Sequence, residues 1–176
     1  MYYVIQVKTG KEDKAIEDIK KYKGDDLNFD VFSPYRMTLR KYKGEWKEHK
    51  ERCFPGYIFV ETNDAKQLFF DLYWVEDFTK LLGREGLTYN FLPLSEEESR
   101  VIDILYNENE DRTTKISDIE VIEGDKIRIV SGPLQGNESV IKKVNLHKRL
   151  VTVSLSICNR TVDVEVGINI ITKENN

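Results

Sequence analysis

The ten residues from Arg52 to Glu61, RCFPGYIFVE, restrict the fold more than any other stretch of the chain. Proline fixes φ near the value needed at the second position of a β-turn, and glycine accepts the positive φ of the third. Phe54-Pro55-Gly56-Tyr57 therefore spells a type II turn. The chain leaving it, Tyr57-Ile58-Phe59-Val60, is aromatic or β-branched throughout, which suits a strand pressed between a core and something else.

Elements of matching character surround this turn. Tyr2 to Lys8 alternates bulky and polar residues, and Thr9-Gly10-Lys11-Glu12 has the T-x-x-E form of a capping box, which predicts a helix with Ala15, Ile16 and Ile19 on one face. Phe29 to Tyr35 is expected as a strand, with Pro34 placing it towards a sheet edge. MTLRKY and EWKEHKE flank Lys43-Gly44 with strand-like alternation and predict a basic β-hairpin leading back to the turn. Beyond the Tyr57 strand, Asn63 is the expected cap of a second helix carrying Leu68, Phe69 and Leu72. A strand is expected over Phe78 to Leu82. Ser95 and Glu98 then form a second capping box before Val101, Ile102 and Leu105. This order predicts an α+β domain, residues 1–106, with helices packed on an antiparallel sheet.

From Asn107 to Asp118 the apolar pattern collapses, which predicts a flexible linker. The runs KIRIV, SVIKKV, LVTVSLSI, TVDVEV and INII, separated by turn signals, predict a small all-β barrel over residues 119–176.

Composition narrows the function. With 40% hydrophobic and 33% charged residues and no long apolar run, the 176 residues read as a globular chain without a membrane span. The amino terminus alternates like a strand instead of a signal peptide, and Cys53 and Cys158 are too few for a disulfide framework, so a cytoplasmic location is expected. The net charge of −4 disfavours a generic nucleic-acid binder, yet seven Lys or Arg against three Glu between Arg36 and Arg52, and four cations without an acid between Lys142 and Arg149, form two basic islands. Catalytic patterns are wanting. His49 and Cys53 lie on an alternating segment that ends at Pro55, so they do not form a nucleophile pair. Two Cys and two His, singly scattered, lack zinc spacing. No Gly-rich phosphate loop is present, and Glu96-Glu97-Glu98 suits a first helical turn. Neither an enzyme nor a cofactor or metal is expected.

FPGY followed by an apolar strand resembles the signature of the NusG family of transcription elongation factors. VKTGKEDKAIEDI resembles that family's first strand and helix, and GDKIRIVSGPLQGNESVIKKV its carboxy-terminal KOW motif. Gly124, Asp125, Gly132, Pro133 and Gly136 match the motif; Ser139 and Asn159 stand where glycines are usual. The resemblance implies an NGN domain linked to a small SH3-like KOW barrel. It also implies a monomer that holds the clamp helices of RNA polymerase, with Phe54, Pro55, Gly56, Tyr57 and Tyr3 as the contact residues.

Trp74 and Val75 occupy the place where housekeeping members carry an Asn-Thr pair that reads non-template DNA. Trp74 could instead stack on a base. Arg128, Lys142, Lys143, Asn145, His147, Lys148, Arg149 and Arg160 on the barrel, with Lys41 and Lys43 on the hairpin, are the candidate nucleic-acid ligands. Together these features imply a specialised paralogue of the LoaP and RfaH kind, promoting processive antitermination and binding a nascent RNA hairpin. The alternatives are a housekeeping factor, whose barrel would bind a ribosomal protein or termination factor, and an RNA-binding module without polymerase contact.

Overall fold

In the computed structural model, which describes residues 1–23, 29–73, 92–106, 110–122, 126–157 and 160–171, the apolar run after the turn becomes strand β5, Tyr57–Glu61. It lies inside a four-stranded sheet. β1 (Tyr2–Gln6) pairs with it antiparallel from Tyr2↔Glu61 to Gln6↔Tyr57. β2 (Asp30–Phe32) takes its other side and ends the sheet, consistent with Pro34 close behind it. A short β6 (Leu92–Pro93) flanks β1.

Alternate side chains point to opposite faces of a strand. On one face Ile5, Val7, Val31, Ile58 and Val60 cluster with Ala15 and Ile19 of α1 (Glu12–Lys23) and with Leu68 and Leu72 of α2 (Ala65–Tyr73). On the other face the rings form a chain. Tyr2 meets Phe32 edge-on at 6.3 Å, Phe32 stacks on Phe59 at 5.8 Å, and Phe54 tilts against Phe59 at 5.0 Å. Aromatic pairs in these geometries add to what their buried area contributes.

Two helix starts differ from expectation. Gly10 takes φ +82 and Lys11 N–H donates to the Lys8 carbonyl, so a separate turn precedes α1, which starts at Glu12 instead of directly after Thr9. At α2 the cap is Asp64, not Asn63: Asp64 Oδ1 accepts Gln67 N–H at 2.9 Å. The second capping box forms as expected at the start of α3 (Glu96–Tyr106), with Ser95 N–H to Glu98 Oε2 at 2.8 Å and Glu98 N–H to Ser95 Oγ at 3.2 Å. The strand expected over 78–82 lies outside the described residues.

The described residues group into two compact units. One comprises 1–33, 54–99 and 157–160, and the other 34–53, 100–156 and 161–176. The second unit holds the basic hairpin, β3 (Tyr35–Tyr42) and β4 (Glu45–Arg52), closed at Lys43 (φ 50) and Gly44 (φ 92). Two successive positive φ values make the primed turn that matches the twist of a hairpin.

Of the stretch read as a linker, Glu110–Asp118 is described. β7 (Thr113–Thr114) pairs parallel with Tyr35 and Arg36 of β3, and β8 (Ser117–Val121) starts at a buried Ser117. Asp111 fixes this return by accepting Thr113 Oγ1–H at 2.8 Å and Lys50 Nζ–H at 2.9 Å. Low hydropathy concealed these strands, because threonine is β-branched and its hydroxyl can be satisfied locally.

The carboxy-terminal sheet curls in the order β10-β11-β12-β8-β9, where β9 is Ile127–Ser131, β10 Ile141–Asn145, β11 Leu150–Ile157 and β12 Arg160–Ile170. Ile119, Ile129, Leu134, Val151, Val153, Val164, Val166 and Ile168 fill it. The runs TVDVEV and INII, expected as separate strands, form one. Gly167 lies between them, where a Cβ would come within 2.4 Å of the Met37 carbonyl oxygen, so the glycine marks a close approach of backbones and not a turn. The resulting architecture is α+β, with a KOW-like, SH3-like curled sheet.

Candidate protein and nucleic-acid interfaces

The turn at 54–57 has the predicted geometry. Tyr57 N–H donates to the Phe54 carbonyl at 3.1 Å and Gly56 has φ +85, the pair of features that defines type II. Two hydrogen bonds hold it and a close approach reserves the position for glycine. Gly56 N–H donates to Glu12 Oε1 at 2.6 Å, Val7 N–H donates to the Gly56 carbonyl at 2.8 Å, and a Cβ on Gly56 would lie 2.9 Å from Thr9 Oγ1. Glu12 is 1% exposed, so its carboxylate exchanges water for a short backbone bond and ties the first helix to the turn. The sequence reading assigned Glu12 to a capping box alone and missed this role, which only the fold could reveal.

The five residues named for protein contact separate by burial. Pro55 is exposed and Tyr57 half-buried, so the turn offers a rigid ridge of two rings. Phe54 is 1% exposed and Gly56 is buried; they support that ridge from below and are not part of its surface. Tyr3 is partly buried and packs against the helix-side core, on the opposite face of β1 from Tyr2.

On the barrel the predicted cations meet different fates. Lys142 Nζ reaches Asp163 at 3.2 Å, and Arg128 pairs with Glu120. Arg149 takes φ 54, stacks its guanidinium 4.5 Å from the Trp46 ring centroid, and donates to Asn169 Oδ1 at 3.0 Å. Asn169 in turn donates to Asp118. Asn145 Oδ1 accepts Lys148 N–H at 3.0 Å, which closes the turn on which His147 and Lys148 are exposed. Lys143 is also exposed. The Arg160 side chain and Trp74 lie outside the described residues. Hydrogen bonds from Ser154 and Lys142 hold the Asp163 carboxyl below the ordinary aspartate range.

Trp46 and Arg149 also line an open cleft of about 650 Å³ with Met37, Leu39, Ile116 and Asp118. On the hairpin, Tyr42 is 58% exposed at the tip between Lys41 and Lys43. An aromatic residue within a basic run is the sequence signal of this position. At the hairpin's base, burial works to raise the Glu51 carboxyl, but Arg36 and Arg40 outweigh it and hold it low. Cys53 is buried, which pushes its thiol up to about 11, so the residue supplies no thiolate. Among the described residues no group of three His, Cys, Asp or Glu could hold a metal, and no helix is long and apolar enough to cross a membrane.

A family model described as transcription termination factor NusG matches residues 1–123. The transcription termination/antitermination protein NusG of Lactococcus lactis is 30% identical over 158 residues, spanning 88% of this chain and 83% of that protein. The Escherichia coli protein of the same description is 26% identical, over 98% of this chain and 95% of its own length. A solved structure described as a domain interaction in Thermotoga maritima NusG aligns with a TM-score of 0.50 at 22% identity, covering 94% of this chain and 92% of that one, a likeness of fold.

Proposed function

The chain belongs to the NusG family of transcription factors, and from that premise we propose that it binds the clamp helices of RNA polymerase through the Pro55–Tyr57 ridge and promotes processive, antiterminated elongation. The observation that carries this reading is the turn itself. A half-buried tyrosine and an exposed proline, braced by Glu12 and by the Phe54–Phe59 contact, make a pre-organised anchor that loses little freedom on binding. Binding in this way acts through differential affinity: contacts made only with the closed clamp favour the processive state over the pausing one. The expected result for Tyr57→Ala is a loss of about 1 to 3 kcal/mol in affinity for a clamp-helix fragment without a matching loss of stability. A folded Tyr57→Ala protein with undiminished affinity would remove the ridge from the interface.

The specialised form of this reading adds a nascent RNA hairpin bound by Lys143, His147, Lys148 and the neighbouring cations of the barrel. One observation favours the housekeeping form instead, in which the barrel recruits a protein: Arg128, Lys142 and Arg149 are already engaged by Glu120, Asp163, and Trp46 with Asn169. Affinity of the full chain for leader-RNA hairpins against scrambled ones separates the two. Equal binding to both selects the housekeeping form.

A further inference from the structure

The tip of the basic hairpin carries more charge than its fold needs. From Arg40 to Lys47 there are four cations and one carboxylate in a chain of net charge −4. Arg40 stands directly across from Lys47, a like-charge pair that weakens a hairpin. Carboxylates relieve part of this, with Arg40 on Glu51 at 2.6 Å and Lys47 on Glu45 at 4.0 Å. Lys41 and Lys43 have no carboxylate partner among the described residues. On the face of the ribbon opposite to that of Lys41, Tyr42 is 58% exposed, with Nζ of Lys43 and of Lys47 each 5.5 Å from its ring centroid. The two-residue turn at Lys43 and Gly44 holds this group on a narrow, stiff ribbon.

We propose that the hairpin tip binds single-stranded nucleic acid, with Tyr42 stacking on an unpaired base and Lys43 and Lys47 holding the flanking phosphates. An exposed cation–π contact is weak. A lysine can therefore leave the ring for a phosphate while a base takes its place, so that ring and cation both gain a partner. Bases within a duplex are stacked on one another and give the ring nothing to bind. An acidic peptide would engage the lysines and leave the ring unused. Rings interleaved with cations are the general means of holding single strands without sequence preference. The proposal shares no residue with the Pro55–Tyr57 ridge or with the lysines of the barrel loop, and does not rest on either.

The test uses the full chain carrying Lys142→Gln, Lys143→Gln and Lys148→Gln, which removes the lysines of the barrel loop, with labelled oligo(dT), oligo(rU), a duplex and polyglutamate as probes. Single strands are expected to bind more tightly than the duplex. Tyr42→Ala should weaken them about fivefold or more with the salt slope unchanged, and Tyr42→Phe should not. Lys43→Gln and Lys47→Gln should each lower the slope by about 0.7. A preference for dT or rU identifies the strand as DNA or RNA. Undiminished binding by Tyr42→Ala, equal binding of the duplex, or polyglutamate bound as tightly as oligo(dT) overturns the proposal. Clamp-helix affinity, measured on the same proteins, reports on Tyr57 alone, so the two readings fail separately.

Discussion

Phe54 and Tyr57 lie three residues apart in one motif and do different work. Phe54 is 1% exposed with its ring on Phe59, so Phe54→Ala empties part of the core and is expected to cost about 3 to 5 kcal/mol of stability. Tyr57 is half-buried at the ridge, and its loss should fall on binding instead. Denaturant melts beside clamp-helix titrations check this. A Phe54→Ala protein as stable as its parent would show that the ring is not packed as described. The sequence announced this motif because turn chemistry is local: Pro55 and Gly56 determine their own backbone whatever lies around them. Burial is not local, which is why Phe54 was expected at a surface and Glu12 only at a cap. The brace from Glu12 to Gly56 joins residues 44 apart in sequence, a separation that periodicity cannot cross.

Among elements, the hairpin closed at Lys43-Gly44 and the helix after the Ser95 box were legible, whereas the box read at Thr9 to Glu12 misplaced a helix start and the runs TVDVEV and INII proved to be one strand. The pair Thr113–Thr114 was not legible, since two polar residues in a polar run show no period, and their place beside β3 depends on Asp111. Hydrogen bonds from Lys50, and then from Thr113, hold the Asp111 carboxyl below its ordinary value. A depressed carboxylate contributes stability that is fully present above the unfolded value of about 3.9 and is lost as pH falls through the lower folded one. Asp111→Asn should therefore be less stable than the parent at neutral pH, and urea melts of the two should converge as pH falls through that lower folded value. A gap that persists at low pH would mean that Asp111 acts by shape and not by charge. Limited proteolysis tests the same region: the first cut is expected within 107–112, whose composition is polar, and not in 113–118, where Thr113, Thr114 and Ser117 are buried. Cleavage between 113 and 118 at comparable rate would show that β7 does not persist in solution.

For the molecule as a whole, charge placement carries more information than net charge, and pairing more than placement. Sequence located both basic islands but could not show which cations were already committed, because Lys142 and Asp163, or Arg149 and Trp46, meet only through the fold. That distinction becomes measurable in the proposed RNA complex. Each phosphate contact on a duplex stem releases counterions worth about 0.9 in the slope of log K against log salt, and a cation that stays with its carboxylate contributes nothing. If Lys143 and Lys148 act alone, the barrel's share of the slope is about −1.8; if RNA also draws in Arg128, Lys142 and Arg149, it approaches about −4.5. Asp163→Asn separates these cases, since it frees Lys142 without adding a cation. Where Lys142 is held back in the parent, the substitution should steepen the slope by about 0.9 and tighten binding to the hairpin at low salt. Where RNA already displaces Asp163, affinity should rise with the slope unchanged, because the contact exists in both proteins and only the competing carboxylate has gone. An Asp163→Asn protein that matches its parent in both slope and affinity would place Lys142 outside the RNA interface and leave the barrel to a protein partner.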